Sequence, residues 1–307
     1  MRASPAWRLA DSGYGDGVIN PRTGQGAIGA ALAMLMLWAS PAQAQTRPPA
    51  PAPVSLWRLD CGSVEVPDLD FLSDTFAFSG QSKTVAVSCY LIRHGDRYML
   101  FDAGLPLSRL GAGQRSVGGG QARLTRPLVE QLADLKLSAA AISILALSHY
   151  HADHAGQAAS FPAATLLIGA EDWAVVGAAT SPFNLDRGQF APWTAGGGKV
   201  EPVGGDRDVF GDGSVILLAT PGHTPGHHSL LVRLADGPVL LSGDLWHFAG
   251  QMPINGVPKI NTSRADTLAS MDRVKRIAEN LKGAIILGHE PADVARLPAF
   301  PQAAGGR

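Results

Sequence analysis

The chain contains little cysteine: Cys61 and Cys89 are the only two among its 307 residues. Each lies in a strand-like run, and neither is needed for a metal site. In an oxidising compartment they could form a disulfide, but they could equally be two separate buried thiols, because sequence does not give the distance between their Cα atoms. Hydrophobic residues make up 46% of the chain, which is ample for the core of one large α/β domain.

An excess of charge of one sign is also missing. Lysine and arginine together number 25, aspartate and glutamate 26, and the formal net charge is −1. The chain therefore lacks the excess of positive charge that is typical of nucleic-acid-binding proteins, and we do not expect a nucleic-acid partner. We expect a small-molecule substrate instead. The glycine-rich stretch from Gly111 to Gly120 lacks the Gly-Lys-Ser/Thr ending of a phosphate loop, which favours a surface loop there.

The apolar run near the N-terminus, Ala27 to Trp38, is too short to span a bilayer stably. Arg22 precedes it and the small-residue sequence Ala42-Gln43-Ala44 follows it, a pattern typical of a secretory signal and its cleavage site. We therefore expect residues 1–44 to be a signal peptide. Residues 1–17 are polar and could reflect a misassigned start, with Val18 or a nearby codon as the true beginning.

The chain after this segment divides into two parts. Residues 45–55 are rich in proline and alanine and are predicted to be a linker, and residues 56–300 are predicted to be one folded domain. The mature protein is expected to be exported, periplasmic or secreted, without stable membrane insertion after cleavage. The sequence does not give its oligomeric state.

A dense group of potential metal ligands stands in the sequence SHYHADHAGQ, Ser148 to Gln157. Imidazole and carboxylate are ligands that zinc and similar divalent metals prefer. His149 and His151 are two residues apart, so in an extended segment they project to the same side. Asp153 and His154 must turn toward a different point, and the spacing therefore suits two metal centres. The alternative is a histidine-rich solvated turn, which would not require such spacing.

Three further candidate ligands follow apolar, strand-like runs. His223 lies in TPGHTPGHHS, Asp244 in SGDLWHF and His289 in ILGHE. A single buried histidine such as His289 is as often a structural residue as a ligand. Together with the first cluster, however, these residues indicate a dinuclear site.

The set HxHxDH, GHTPGH, SGD and GH resembles the metallo-β-lactamase superfamily, and within it the N-acyl homoserine lactonase-like branch, from about Leu56 to Pro298. This resemblance implies two zinc ions, with other divalent metals as alternatives. It implies that the ligands of one ion are His149, His151 and His223, that those of the other are Asp153, His154 and His289, and that Asp244 bridges both. It also implies that Asp102 orients the metal-binding side chains without itself binding a metal ion.

Local patterns predict the scaffold. Thr84 to Arg93 reads as a strand, Leu124 to Leu135 as an amphipathic helix, and the capping box at Ser263 to Asp266 as the start of a helix that ends before Gly283. Strands fall in two sets with helices outside, which indicates an αββα sandwich of two mixed β-sheets flanked by helices. Five aromatic residues could be ordinary core: Phe183, Phe190, Trp193, Trp246 and Phe248. The stretch from Phe183 to Trp193 lies in a Pro/Gly-rich insertion and could instead form an apolar wall for the substrate.

Two metals predict hydrolysis of an activated carbonyl, because a water held between them becomes a hydroxide nucleophile near neutral pH. Asp153 would orient this water and move its proton to the leaving group. The resemblance favours a lactone substrate, with an exported β-lactamase or a thioester hydrolase as alternatives. A redox di-iron protein is disfavoured because that branch has a glutamate where this chain has His151 and Ala152.

One position departs from the lactonase pattern. Well-known members have a tyrosine three residues after the bridging aspartate, and this chain has His247 there. An imidazole could donate the same hydrogen bond to the substrate carbonyl. His247 is therefore a candidate catalytic residue beside Asp153, with a packing role as the alternative.

The signal sequence leads to a direct expectation. If Ala42-Gln43-Ala44 directs cleavage, the mature protein from the native host begins at or near Gln45. Intact-mass measurement checks this, and a mass that still includes the first 44 residues would refute it.

Overall fold

A computed structural model describes residues 52–305, with the exception of 112–113, 116–118, 181 and 196. The predicted signal peptide and most of the predicted linker lie outside the described residues. The remaining chain forms two β-sheets. The strands of the larger sheet are β1 (Val54–Val66), β2 (Lys83–His94), β3 (Arg97–Phe101), β4 (Gln114–Arg115), β5 (Gln121–Arg123), β6 (Ile142–Ala146), β7 (Thr165–Gly169) and β8 (Val200–Val203). Their order is β4-β5-β1-β2-β3-β6-β7-β8.

The smaller sheet contains β9 (Arg207–Asp208), β10 (Val215–Ala219), β11 (His228–Leu234), β12 (Gly237–Leu241) and β13 (Ala284–Ile286). Its order is β13-β12-β11-β10-β9. Both sheets are mixed. In the larger one β3, β6, β7 and β8 run parallel, and in the smaller one β12 and β13 do.

Seven α-helices are described: α1 (Leu128–Asp134), α2 (Ala152–Ala155), α3 (Ala170–Gly177), α4 (Ala191–Thr194), α5 (Gln251–Ile254), α6 (Arg264–Leu281) and α7 (Pro291–Val294). Short 3-10 helices lie at Leu69–Phe71, Leu107–Arg109, Ala139–Ala141, Ala158–Ser160, Arg187–Phe190 and Gly243–Leu245. In the described part of the chain, none of the helices has the length and apolar character needed to cross a membrane.

The alternation of side chains along the strands produces the layers. In β2, Leu91 belongs to the buried cluster that includes residues of α1 and α3 on the outer face, whereas Ile92 belongs to the cluster between the sheets that includes Val232 of β11. Residues Leu231 and Leu240 of the smaller sheet face outward and bury the apolar side of α6. Successive residues of a strand point to opposite faces, so these two sheets have helices on both outer sides. The predicted αββα sandwich is the observed architecture.

Several element boundaries differ from the predicted ones. The strand β1 begins at Val54, within the predicted linker, and Leu56 pairs with Ala304, beyond the predicted end of the domain at residue 300. The helix predicted from Leu124 begins only at Leu128, because Pro127 precedes it as the N-cap and the chain up to Arg123 pairs in the sheet.

The predicted helix after Ser263 is confirmed as α6. The Ser263 side chain accepts a hydrogen bond from the Asp266 backbone N–H, as a capping residue does. The left-handed residue at its C-terminus is Lys282, with φ 52°, rather than the glycine that follows it.

Cys61 of β1 and Cys89 of β2 are joined in a disulfide, with a Cα–Cα distance of 5.8 Å. The sequence had left this pairing open. Both cysteines are fully buried in the layer between the larger sheet and α1.

The backbone at the end of β7, at Gly169, lies in close contact with the backbone of the turn before β11, at Gly226. A Cβ atom on Gly169 would lie 1.9 Å from the Gly226 carbonyl oxygen, whereas one on Gly177, at the end of α3, would meet nothing within 4 Å. We therefore expect Gly169→Ala to force these backbones apart and to lower the free energy of unfolding by about 3 kcal/mol.

Denaturant unfolding of Gly169→Ala beside Gly177→Ala measures this effect. The Gly177→Ala control should be neutral or slightly stabilising, because alanine favours helix over glycine. Equal stability of the two variants would contradict the close approach.

Candidate metal centre

The predicted ligands follow the carboxyl ends of four strands: β6 of the larger sheet and β10, β12 and β13 of the smaller one. These ends lie at the same end of the sandwich. The parallel pairs β3–β6 and β12–β13 place their carboxyl ends side by side. The segment after β6 carries His149 and His151, and the short helix α2 then carries Asp153 and His154. Asp244 follows β12, His289 follows β13, and His223 follows β10. The structure thus brings all seven sequence-predicted ligands to one place.

These seven residues fall into two sets. Ligand atoms of His149, His151, His223 and Asp244 lie within 4.8 Å of one another, and those of Asp153, His154 and His289 do the same.

The Asp244 carboxylate lies between the sets. Its Oδ2 is 3.1 Å from His223 Nε2, and its Oδ1 is 3.1 Å from Nε2 of both His154 and His289. The structure thus groups these side chains as the family resemblance predicted, and their assignment to two separate ions stays a prediction.

Hydrogen bonds at the far side of the rings leave the Nε2 lone pairs free toward the cluster. His154 Nδ1 donates to Asp102 Oδ2 at 2.9 Å, His223 Nδ1 donates to Asn261 Oδ1 at 2.7 Å, and His289 Nδ1 donates to the Ala86 carbonyl at 2.6 Å. A histidine that donates through Nδ1 in this way is held in the tautomer that binds a metal through Nε2.

The polar atoms of the cluster fit a divalent cation. His149 Nε2 is buried without a hydrogen-bond partner, and Nε2 of His154 faces Nε2 of His289 at 3.2 Å. Convergent nitrogen lone pairs at this spacing leave buried polar groups poorly satisfied unless a cation accepts them. Nitrogen and carboxylate donors in such number are typical of a zinc-like ion. The donor set and geometry of the cluster therefore fit a divalent metal ion.

The electrostatics of the cluster agree with this. Burial, together with the neighbouring histidines, holds the pKa of His149 and of His151 well below its ordinary value, so both rings stay neutral, as ligands must be. Burial also lowers the pKa of His154, but the nearby carboxylates of Asp244 and Asp102 outweigh it and raise that pKa well above its ordinary value. The carboxylates thus favour a positive charge at His154, and a bound cation could supply that charge in place of the ring proton.

The backbone around the ligands is fixed by buried polar side chains. Asp102, in the left-handed region with φ 65°, accepts the Ser148 N–H through Oδ1 at 2.7 Å as well as the His154 ring. His227 Nε2 accepts the backbone N–H of Asp244 at 2.9 Å, which gives this histidine a supporting role. His228 instead contacts the carbonyls of Gly226 and Gly205.

Sequence reasoning missed three side chains of this site. Asp172 accepts the Thr224 hydroxyl and the Gly226 N–H, both at 2.7 Å, and so holds the turn that carries His223; burial raises the pKa of Asp172 to about 6. Asn261 orients His223, and Asn184 Nδ2 donates to Asp153 Oδ1 at 3.1 Å. All three are single polar residues outside the histidine motifs, so no spacing pattern marked them.

A cleft of about 300 Å³ opens over the cluster. Its floor includes Asp153, Asp244, His247 and His289. Its walls are mainly apolar and include Val66, Phe71, Leu72, Val85, Leu105, Phe183 and Ile260. Of the five aromatic residues singled out in the sequence, Phe183 lines the cleft and is 38% exposed, and the other four are buried.

His247 faces this cleft. Its Nε2 lies 3.2 Å from Asp244 Oδ2, and its ring stacks on His289 with centroids 5.2 Å apart. The backbone N–H of His247 donates to Gln251 Oε1 at 2.5 Å, which fixes the start of the following turn. Burial lowers the pKa of the His247 imidazole, so the ring is neutral and has one N–H to donate.

Residues 83–289, the interval from β2 to the last histidine of the cluster, match the metallo-beta-lactamase superfamily. The chain belongs to this superfamily. The N-acyl homoserine lactonase AttM of Rhizobium radiobacter is 27% identical over 248 residues, which cover 73% of this chain and 89% of the relative. The metallo-hydrolase mfmC of Annulohypoxylon moriforme is 30% identical over 207 residues, 60% of this chain and 54% of the relative.

Two solved structures share the fold. A quorum-quenching N-acyl homoserine lactone hydrolase has a TM-score of 0.70 at 22% identity and covers 82% of this chain and 98% of its own. The dizinc quorum-quenching lactonase AidC has a TM-score of 0.60 at 17% identity and covers 82% and 90%. The comparisons confirm the predicted family, the predicted sandwich and the prediction of a metal-dependent hydrolase.

Proposed function

We propose that this superfamily member is a dinuclear zinc hydrolase that opens lactones, with N-acyl homoserine lactones as the first candidate. The observation that carries this proposal is the seven-residue His/Asp cluster at the floor of a cleft with apolar walls. Relatives that align over most of their length are named N-acyl homoserine lactonases, which supports the same substrate class.

The residues fit two divalent ions. His149, His151 and His223 would hold one, Asp153, His154 and His289 the other, and the two oxygens of Asp244 would contact both. When bound, such a pair supplies Lewis acidity and makes water a nucleophile at neutral pH.

Two side chains, Asp153 and His247, would act directly on the water and on the substrate. The Asp153 side chain is 22% exposed and lines the cleft, so its carboxylate can orient a water and pass a proton to the leaving oxygen. His247 on the same floor has one N–H, and its Nε2 faces Asp244 Oδ2 at 3.2 Å; with Asp244 bound to metal, this N–H would instead donate to the oxygen of the substrate carbonyl as negative charge develops there. The apolar wall formed by residues such as Phe183 and Phe71 would bind an acyl chain and exclude water.

We also propose that the protein is exported. The signal-like N-terminal sequence supports this, and so does the Cys61–Cys89 disulfide, because disulfides persist mainly in oxidising compartments.

The substrate proposal is tested with purified, zinc-loaded enzyme and three panels of compounds. We expect fast ring opening of acyl homoserine lactones, followed by proton release with a pH indicator, together with two ions per chain by elemental analysis and loss of activity on chelation. If the enzyme were inert on lactones but fast on β-lactams or thioesters, the lactone assignment would be wrong and the faster substrate class would take its place. Protein that binds no transition metal would refute the whole proposal.

The proposed role of His247 is tested with His247→Ala and His247→Tyr. Loss of one donor to the carbonyl oxygen should lower kcat by about ten- to a thousandfold while both ions stay bound, and tyrosine should retain much of the activity. His94→Ala is a matched control, because His94 lies at the end of β2, stacked on Phe210 and away from the cleft lining. An active His247→Ala enzyme would assign the residue to packing.

A further inference from the structure

The loop formed by residues 182–186 lies against the segment that carries the first four candidate ligands. Leu185 forms a bridge with His151, and the Asn184 carbonyl accepts the Ala152 N–H at 2.9 Å. The Phe183 ring meets the His151 ring edge-on, with centroids 5.7 Å apart. This 182–186 loop therefore fixes the entry to α2, the helix on which Asp153 and His154 lie.

Asn184 is the residue of this loop that reaches a ligand carboxylate. Its Nδ2 donates to Asp153 Oδ1 at 3.1 Å. The other oxygen of Asp153, Oδ2, faces His154 Nε2 at 3.9 Å and His289 Nε2 at 3.8 Å. The amide thus holds one carboxylate oxygen and leaves the other directed at the histidines.

The conformation of Asn184 suits this task. Its φ is 58°, in the left-handed region, which asparagine tolerates better than most residues. Glycine would keep this backbone without a side-chain donor. Aspartate would also tolerate it, but would present a second carboxylate to Asp153.

The same arrangement recurs around the cluster. His154 is held by Asp102, His223 by Asn261 and His289 by the Ala86 carbonyl, in each case through an atom that does not face the other ligands. Asn184 does for the Asp153 carboxylate what these groups do for the imidazoles. Such outer contacts orient metal ligands, and their removal typically costs about 10–100-fold in metal affinity or activity.

We propose that Asn184 is a positioning residue that selects which oxygen of Asp153 is presented to the metal centre and thereby tightens one of its two ions. This inference rests on the two-ion assignment of the proposed function. The ion concerned is the one that Asp153, His154 and His289 would hold, because, among the residues that the structure describes, Asp153 is the only candidate ligand to which the Asn184 side chain is hydrogen-bonded.

The experiment compares metal release from the wild-type enzyme, Asn184→Gly and Asn184→Asp by titration with a chelator. In both variants we expect one of the two ions to be released about 10–100-fold more readily and the other to be unchanged. In cobalt-substituted protein, the absorption bands of one site should shift and those of the other should stay. These readouts do not require turnover.

Asn255→Gly is the matched control. Asn255 is also left-handed, with φ 50°, but it is exposed at the C-terminus of α5 and does not line the cleft. The substitution changes the flexibility of the unfolded chain in the same way without touching a ligand. We expect wild-type release of both ions from this control.

Two results would overturn the inference alone: unchanged release of both ions from Asn184→Gly, or equal weakening of both ions, which would assign Asn184 a general scaffolding role. A wild-type enzyme that retains fewer than two ions would overturn the two-ion assignment and the inference together. The wild-type titration therefore separates failure of the proposed function from failure of the role of Asn184.

Discussion

The position of the Asp244 carboxylate, between two sets of imidazoles, is the constraint on which the rest of the site depends. One oxygen faces His223 and the other faces His154 and His289, so a single buried side chain must satisfy both halves of the cluster. The Asp244 backbone is held in place by His227, whose Nε2 accepts the Asp244 N–H. A carboxylate buried this deeply is tolerated only when opposite charge or hydrogen-bond donors surround it.

The sandwich makes this arrangement possible, because the ligands come from both sheets. The segment after β6 belongs to the larger sheet, while His223, Asp244 and His289 follow strands of the smaller one. The apolar layer between the sheets, with residues such as Ile92 and Val232, therefore sets the spacing between the ligands that follow the larger sheet and those that follow the smaller one. Close packing of that layer gives the metal centre a rigid support, as a preorganised site requires.

Much of the fold and most of the cluster could be predicted from sequence, for local reasons. HxHxDH and the histidine or aspartate that ends each apolar run are short-range patterns, and alternation along β2 and the capping box at Ser263 are equally local. The start of α1 was predicted too early because Leu124 continues the apolar period but is paired in the sheet region before Pro127. The disulfide, Asn184 and Asn261 could not be predicted, since each depends on contacts between segments far apart in the chain.

The pairing between Leu56 and Ala304 has a consequence for how the domain opens. Each residue donates its N–H to the carbonyl of the other, at 3.0 and 2.8 Å, and Trp57 Nε1 donates to the Pro301 carbonyl at 3.1 Å. Loss of the C-terminal segment would remove these partners from the first residues of β1, but β1 would remain paired with β2 on its other side, from Val54 onward. The C-terminal segment can therefore open locally without unfolding the sheet, and its opening would expose one side of the start of β1, an inner strand of the larger sheet.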